Sequence, residues 1–281
     1  MTKRLFLFAS YDKNGRIDDA MVHYIHALSK LGDVVMVADC DFSKSELEKI
    51  KPYVIHAAAR RHQGYDFGSY RRAYEWARDN GRINKYDYIY FLNDSVYGPL
   101  RDLEPYLVQM ETSNNDAFGM VCNPIARHPH IQSWFIGCAK SVFSADWFDE
   151  FLRSITRQAS KGTLIALYEH GFTKYLIDNH LSWGCLYTMQ GRGIYGRAKT
   201  LFKRGMPFIK KQTFPRHNGA HGMQIDYILC RVSPDVRDTI LSAARSTWGD
   251  EYINWLLTRN PIKIFIRNTS YFMRKLFTGT L

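Results

Sequence analysis

Three polar residues, Asn93-Asp94-Ser95, end the apolar run "YDYIYFLNDSVYGP" between Tyr86 and Pro99. A carboxylate between an amide and a hydroxyl has two uses. It can hold Mg²⁺ or Mn²⁺, which bind through one or two carboxylates, substrate phosphates and several waters. It can also simply turn the chain, since Asn, Asp and Ser are turn formers and Gly98-Pro99 continues the punctuation. Spacing alone leaves both readings open.

A second candidate is "RRHQGYDFGSYRR", Arg60 to Arg72. Gly64 and Gly68 bracket Asp66, and such glycines let a backbone approach a ligand closely. Arg60, Arg61, Arg71 and Arg72 could face phosphates. The pattern is neither GxGxxG nor a P-loop. The alternative is a glycine turn followed by a solvated basic helix face, which suits the arginines better than it suits Asp66. Glu169, in "YEHGFT", is either a general base or an ordinary helix carboxylate before a terminating Gly171. Lys210 and Lys211, after an apolar Pro-flanked stretch, are either a phosphate clamp or two solvated lysines. The five cysteines never fall in CxxC spacing, so small buried thiols are expected rather than zinc or disulfides. His217 and His221 are four apart, but Gly219 between them argues against a helical metal site.

These residues need a scaffold. "RLFLFAS", "DVVMVADCD", "YVIHAAA" and "YDYIYFLND" read as continuous apolar strands. Helical patterns alternate with them: one from Asp18-Asp19, a short one capped by Ser43 with Glu46 in a capping box, and "SYRRAYEWARDNG". That alternation predicts a parallel α/β sheet, and ligands of such sheets bind beyond the carboxyl ends of the strands. The segments to inspect are therefore Ser10 to Asp12, Asp39 to Asp41, Arg60 to Asp66 and Asn93 to Ser95. Downstream, "DAFGMV" and "SWFIGCAKSVF" read as strands. "SADWFDEFLRSITRQ" reads as an amphipathic helix capped by Ser144. "TLIALYEHGFTKYLIDNH" reads as helical around a break at Gly171.

With 281 residues, 46% hydrophobic and 15% aromatic, the chain can bury a sizeable core and is not disordered. No apolar run approaches the roughly 20 residues of a membrane span. The first residues read as a strand rather than a signal peptide, so a cytoplasmic protein is expected. The charge of +11 is localised. Residues 1–190 hold 22 Lys/Arg against 22 Asp/Glu, and residues 191–281 hold 16 against 5. An anionic partner for the last third follows: acidic lipid, nucleic acid or a phosphorylated substrate. The tail from Pro261 has four basic residues, no acids, and apolar residues between them. It is either an element that docks on anionic membrane or a helix packed on the core with a basic outer face.

Together, "ASYDKNGRIDD", "GYDFGSYRRA", "YIYFLNDSVYGPL", "HIQSWFIGCAKSVF", "LIALYEHGFTKYL" and "PFIKK" resemble the rhamnan synthesis protein F family of polysaccharide glycosyltransferases. The resemblance runs from Ala9 to Lys211 and is looser beyond. It implies a GT-A-like, Rossmann-type, mostly parallel sheet flanked by helices over residues 1–215, followed by a basic helical region over 216–281. It implies a nucleotide-sugar donor, a deoxysugar such as rhamnose, and an acceptor glycan on a polyisoprenyl diphosphate. In residue roles the chain is similar to the wider GT-A group. Asp39 sits where those proteins contact the nucleoside, and "QGYDFGSY", with Gly64 and Asp66, where their first helix approaches it; Arg61 is a further expected contact to the nucleotide sugar. Ser10 and Tyr11 end the first strand. Asn93-Asp94-Ser95 takes the place of the DXD metal motif, with one carboxylate where that motif has two, so Asp94 would hold a divalent cation (Mg or Mn). "YEHGFTKYL" resembles the segment that supplies the base of inverting enzymes, though Glu169 has no adjacent acid. Lys210 and Lys211 would meet the diphosphate. A location on the inner face of the cell membrane is implied. Two other classes are a non-catalytic glycan-assembly subunit and a nucleic-acid-binding protein. No nucleic-acid motif supports the second.

Overall fold

A computed structural model describes residues 2–124, 127–191, 193–215 and 219–278. Its strands are β1 (Arg4–Ser10), β2 (Asp33–Ala38), β3 (His56–Ala59), β4 (Tyr88–Asn93), β5 (Val96–Tyr97), β6 (Ala117–Asn123), β7 (His130–Ile131), β8 (Phe135–Ala139), β9 (Trp183–Thr188) and β10 (Ile209–Lys210). The helices are α1 (Asp19–Ser29), α2 (Lys44–Glu48), α3 (Tyr65–Asp79), α4 (Glu104–Glu111), α5 (Lys140–Phe143), α6 (Asp146–Ser154), α7 (Lys161–Leu164), α8 (His170–Asp178), α9 (Gly193–Gly196), α10 (Ala198–Lys203), α11 (Gly219–Leu229), α12 (Pro234–Trp248), α13 (Asp250–Leu256) and α14 (Pro261–Thr278). The chain forms two units. One comprises Met1–Ile17, Tyr24–Asp94 and Asp102–Gly191, the other Asp18–His23, Ser95–Arg101 and Arg192–Leu281.

The first unit holds the large sheet, in the order β3-β2-β1-β4-β8-β6-β7, with β9 beside β6. β3, β2, β1 and β4 are mutually parallel, and so are β6 and β9. β8 runs antiparallel between β4 and β6. This is the mostly parallel α/β sheet that the continuous apolar strands predict. Every residue of β1 is buried, as a strand covered on both faces requires. Leu5, Leu7 and Ala9 share a core with Phe67, Tyr70, Ala73, Tyr74 and Ala77, the helically spaced inner stripe of α3. At the start of β1, Arg4 meets Glu111 of α4 through two hydrogen bonds of 2.5 and 2.7 Å, and Tyr90 donates to the same carboxylate at 2.7 Å.

Several local expectations are corrected. The third strand begins at His56, because Lys51–Tyr53 is a 3₁₀ turn. The strand through Phe135 stops at Ala139, and Lys140–Phe143 is a helical turn. The helix after it is capped at Ala145 without a side-chain bond, so Ser144 is not its cap. Ser43 does accept from the N–H of Glu46, at 3.2 Å. The Glu46 carboxylate does not close the capping box but turns to the Ile17 N–H (2.6 Å) and to Lys49 (2.7 Å). Gly171 breaks nothing: it lies inside α8, and the irregularity precedes it as a π turn over Ile165–Glu169. Two of the cysteines are not thiols. Cys122 and Cys185, 63 residues apart, form a disulfide because β6 and β9 are neighbours. Cys40 and Cys138 are the buried thiols expected.

The second unit has its own core, with Tyr97, Phe214, Ile225, Ile228, Ile240 and Ile253 among its members. β5 pairs with β10, Ile209 opposite Tyr97. Helices follow from α11 to the tail, the basic helical region expected there. Asp18 caps α1, accepting from the Met21 N–H at 2.7 Å.

Candidate functional site

The register of the parallel strands puts their ends level. Ser10 pairs with Ala38, Ala38 with Ala59, and Ala9 with Asn93. The ladder runs one step further: the Asp39 N–H donates to Ser10 O (2.9 Å), Asp94 N–H to Ala9 O (3.3 Å) and Arg60 N–H to Ala38 O (3.3 Å). Ser10, Asp39, Arg60 and Asp94 therefore form one row at the carboxyl edge, as the α/β pattern requires.

Asp94 is oriented within this row. Its Oδ2 accepts from Ser10 Oγ at 3.1 Å and from the Tyr11 N–H at 3.3 Å. Asn93 is buried, and its Nδ2 donates to Asp66 Oδ2 at 2.8 Å. That bond explains why an acid follows Gly64 at the start of α3. β8 is antiparallel to β4 and opens at this same edge, Phe135 opposite Leu92. The loop before it is fixed from two sides. Tyr70 OH donates to Ser133 O at 2.9 Å, and the Ser133 N–H donates to Glu169 Oε1 at 2.7 Å. Glu169 is thus brought to the carboxyl edge by the turn that sequence patterning misplaces. His170 follows it, its ring 4.5 Å from that of His130 and 5.4 Å from that of His128. Burial and these neighbouring imidazoles hold the His170 pKa below the usual histidine value.

Asp39 is spent on backbone. Its Oδ1 accepts from the N–H groups of His62 and Gln63, each at 2.6 Å, and Oδ2 from that of Tyr65 at 2.7 Å. His62 is the neighbour that spacing does not reveal. Its Nδ1 accepts from the Gly64 N–H at 3.1 Å, so Nε2 carries the proton and meets Ser69 Oγ at 3.0 Å. Burial pushes its pKa down to about 4 even though Asp39 favours the charged form. A Cβ on Gly68 would come within 3.0 Å of that ring, and one on Gly64 within 3.1 Å. The paired glycines thus make room for an imidazole inside the protein. The signal was present, a histidine just before two glycines four apart. Of the arginines, Arg61 gives its N–H to Asp41 at 3.3 Å. Arg71 is bound to Glu75 and Ile155 O, and Arg72 to Gly68 O.

In the second unit, Lys210 Nζ donates to Ser95 Oγ at 2.7 Å, and the Lys211 N–H to Ser95 O at 3.0 Å. Lys211 Nζ lies 3.6 Å from Asp18 Oδ2 and 5.3 Å over the Tyr97 ring. His221 is buried, and His217 lies outside the described residues.

Among the described residues no three His, Cys, Asp or Glu side chains converge so as to hold a metal ion. The donor set at Asp94 is one carboxylate. It suits a hard divalent ion only if substrate phosphate and water complete the shell, which is how Mg²⁺ is commonly held.

Residues 34–270 match the family described as Rhamnan synthesis protein F. Over 167 residues the chain is 27% identical to a Sinorhizobium fredii (strain NBRC 101917 / NGR234) protein described as "Uncharacterized protein y4gN", covering 58% of this chain and 43% of that protein. The chain thus spans less than half the length of this curated relative. Among solved structures it is similar to a putative nucleotide-diphospho-sugar transferase from Desulfovibrio desulfuricans G20, with 16% identity, 67% of this chain and 81% of that one covered, and a TM-score of 0.40. It is also similar to S. aureus TarS, with 11% identity, 92% and 55% covered, and a TM-score of 0.38. The mannosyltransferase Ktr4p from S. cerevisiae in complex with GDP gives 10% identity, 60% and 63% covered, and a TM-score of 0.35.

Proposed function

From a chain that belongs to the rhamnan synthesis protein F family, we propose a glycosyltransferase that moves a sugar, a deoxysugar such as rhamnose, from a nucleotide-sugar donor to a growing polysaccharide on a polyisoprenyl diphosphate. The observation that carries this reading is the pair of carboxylates at one sheet edge. Asp94 is held by Ser10 and Tyr11, and Glu169 is held by Ser133, on the two sides of β4. Asp94 would hold the donor diphosphate through Mg²⁺ or Mn²⁺, because a carboxylate and a diphosphate repel each other without a cation between them, and that cation would offset the charge of the leaving group. Asn93 and Asp66 fix the strand end beside it. Glu169 takes the proton of the acceptor hydroxyl, which attacks the sugar carbon from the side opposite the diphosphate and inverts it.

A thermal-shift panel of nucleotide sugars tests this. A true donor at 100 times its Kd adds about 2.7 kcal/mol of stability. Asp94→Asn keeps an acceptor oxygen for Ser10 and Tyr11, so the variant should melt near wild type and yet gain little from donor. Mn²⁺ or Mg²⁺ should tighten donor binding in wild type and much less in Asp94→Asn. Wild-type binding that ignores EDTA removes the metal from Asp94. Normal donor binding and turnover in Asp94→Asn leaves the strand end a turn and ends this reading of the site.

The tail supports a peripheral membrane partner. Over the described first turns of α14, Arg267 turns inward while apolar residues face out. Arg267 is only 2% exposed and donates through Nη1 to Trp255 O at 3.1 Å, closing the end of α13. Ile262 and Phe265 are each 70% exposed, and Ile266 is 57% exposed. Side chains beyond Thr269 lie outside the described residues. No helix among the described residues is long and apolar enough to cross a membrane. An apolar outer face in a segment without acids suits the interface of an anionic bilayer. In liposome flotation the protein should rise with anionic vesicles, less so at high salt, and Phe265→Glu should weaken that binding. Equal binding to neutral vesicles, unchanged by salt, sinks the electrostatic part of this proposal.

A further inference from the structure

Tyr65 opens α3 with φ = 53°, and Gln63, two residues earlier, has φ = 58°. Left-handed backbone is costly for a residue with a Cβ and rare for a bulky one. Packing does not account for the cost, because the Tyr65 side chain is 46% exposed. Among the described residues its ring and hydroxyl make no hydrogen bond or ring contact, and its backbone N–H goes to Asp39. The conformation is imposed from below by the Asp39 carboxylate, which gathers three N–H groups of the segment. Those three donors are consumed by Asp39, and what the clamp presents is the tyrosine ring. Strain maintained at an exposed side chain points to a ligand.

A second aromatic shares this edge. Tyr11, just past β1, is 52% exposed and gives only its backbone N–H to Asp94. Tyr11 follows β1 and the Tyr65 N–H rests on Asp39 past β2, while Ser133, bound to Glu169, precedes β8 on the other side of β4. If Asp94 holds a diphosphate, the two sides divide between the donor's nucleoside and the acceptor.

We propose that Tyr65, held in left-handed backbone by Asp39, is a stacking platform for the donor's nucleobase, and that Asp39 is a positioning residue that does not touch the nucleoside. This rests on the nucleotide-sugar reading above. A flat ring accepts any base by its face, so the platform supplies affinity, and the choice among bases falls to other groups.

The test is calorimetric titration with UDP, dTDP, GDP and inorganic pyrophosphate. Tyr65→Ala should weaken the best-bound nucleotide by roughly 10- to 100-fold. Pyrophosphate affinity should hardly move, and Tyr65→Phe should retain nucleotide binding. Tyr65→Gly should lose nucleotide affinity while its melting temperature stays level or rises, because glycine adopts this φ without penalty. Asp39→Ala, which releases three amides, should lose affinity and melting temperature together. Nucleotide affinity unchanged in Tyr65→Ala overturns the proposal, as does a loss shared equally by pyrophosphate. A wild type that binds none of the nucleotides instead overturns the donor reading, and the platform goes with it.

Discussion

Glu169→Gln should lower turnover by roughly 10²–10⁴-fold and leave donor affinity unchanged. The substitution isolates basicity. Glu169 Oε1 accepts the Ser133 N–H at 2.7 Å, and a glutamine carbonyl can accept the same bond, so the loop before β8 keeps its anchor. Single-turnover rates with saturating donor measure the loss, and a thermal shift with donor measures what is kept. Turnover near wild type would remove Glu169 from the mechanism. Two other acids, Asp116 and Asp178, are poor substitutes. Asp116 is bound by Ser182 and Ser141 and precedes β6, at the opposite edge of the sheet from Asp94. Asp178 ends α8 in an ion pair with Lys174.

The second large effect concerns stability. Arg4 and Glu111 are each only 6% exposed, and Tyr90 OH joins them. Glu111 holds the Arg4 pKa above its ordinary value through that hydrogen-bonded pairing, despite burial. Glu111→Ala leaves a buried guanidinium without its counter-charge, which costs about 3–5 kcal/mol. Urea unfolding should show the midpoint drop at constant m. Replacing both partners by apolar residues of similar size should recover most of the loss. A Glu111→Ala variant that loses under about 1 kcal/mol would mean that water reaches Arg4 there.

Strands β1 to β4 are legible because each is a continuous apolar run ending in polar residues, and the end of β1 and that of β4 meet as that pattern implies; β7 and β9 carry no such run. Asp94 and Glu169 are legible as candidates for the same reason: each is an acid next to buried structure. Their partners are not, because those partners come from registers and turns that spacing does not encode. Asn93 reaches Asp66, and Ser133 reaches Glu169, across 27 and 36 residues. Asp39 reads as a ligand contact, and spacing gives no sign that its carboxylate also gathers the loop from His62 to Tyr65. Cys122 and Cys185 carry no mark of their pairing, since it depends on β9 returning beside β6. The outer face of α14 misleads in another way: composition says basic and apolar, and only the burial of Arg267 tells which side faces out.

The π turn before α8 can be understood as winding. Leu164, Tyr168, Phe172 and Leu176 are all buried and recur every fourth residue. Four residues of an α-helix turn through about 400°, so such a stripe would drift by about 40° per step and about 120° over its length. The wider turn over Ile165–Glu169 unwinds part of that drift and keeps the apolar side chains on one wall. The direction in which the Glu169 carboxylate leaves the helix is therefore set in part by the period of the apolar stripe wound past it.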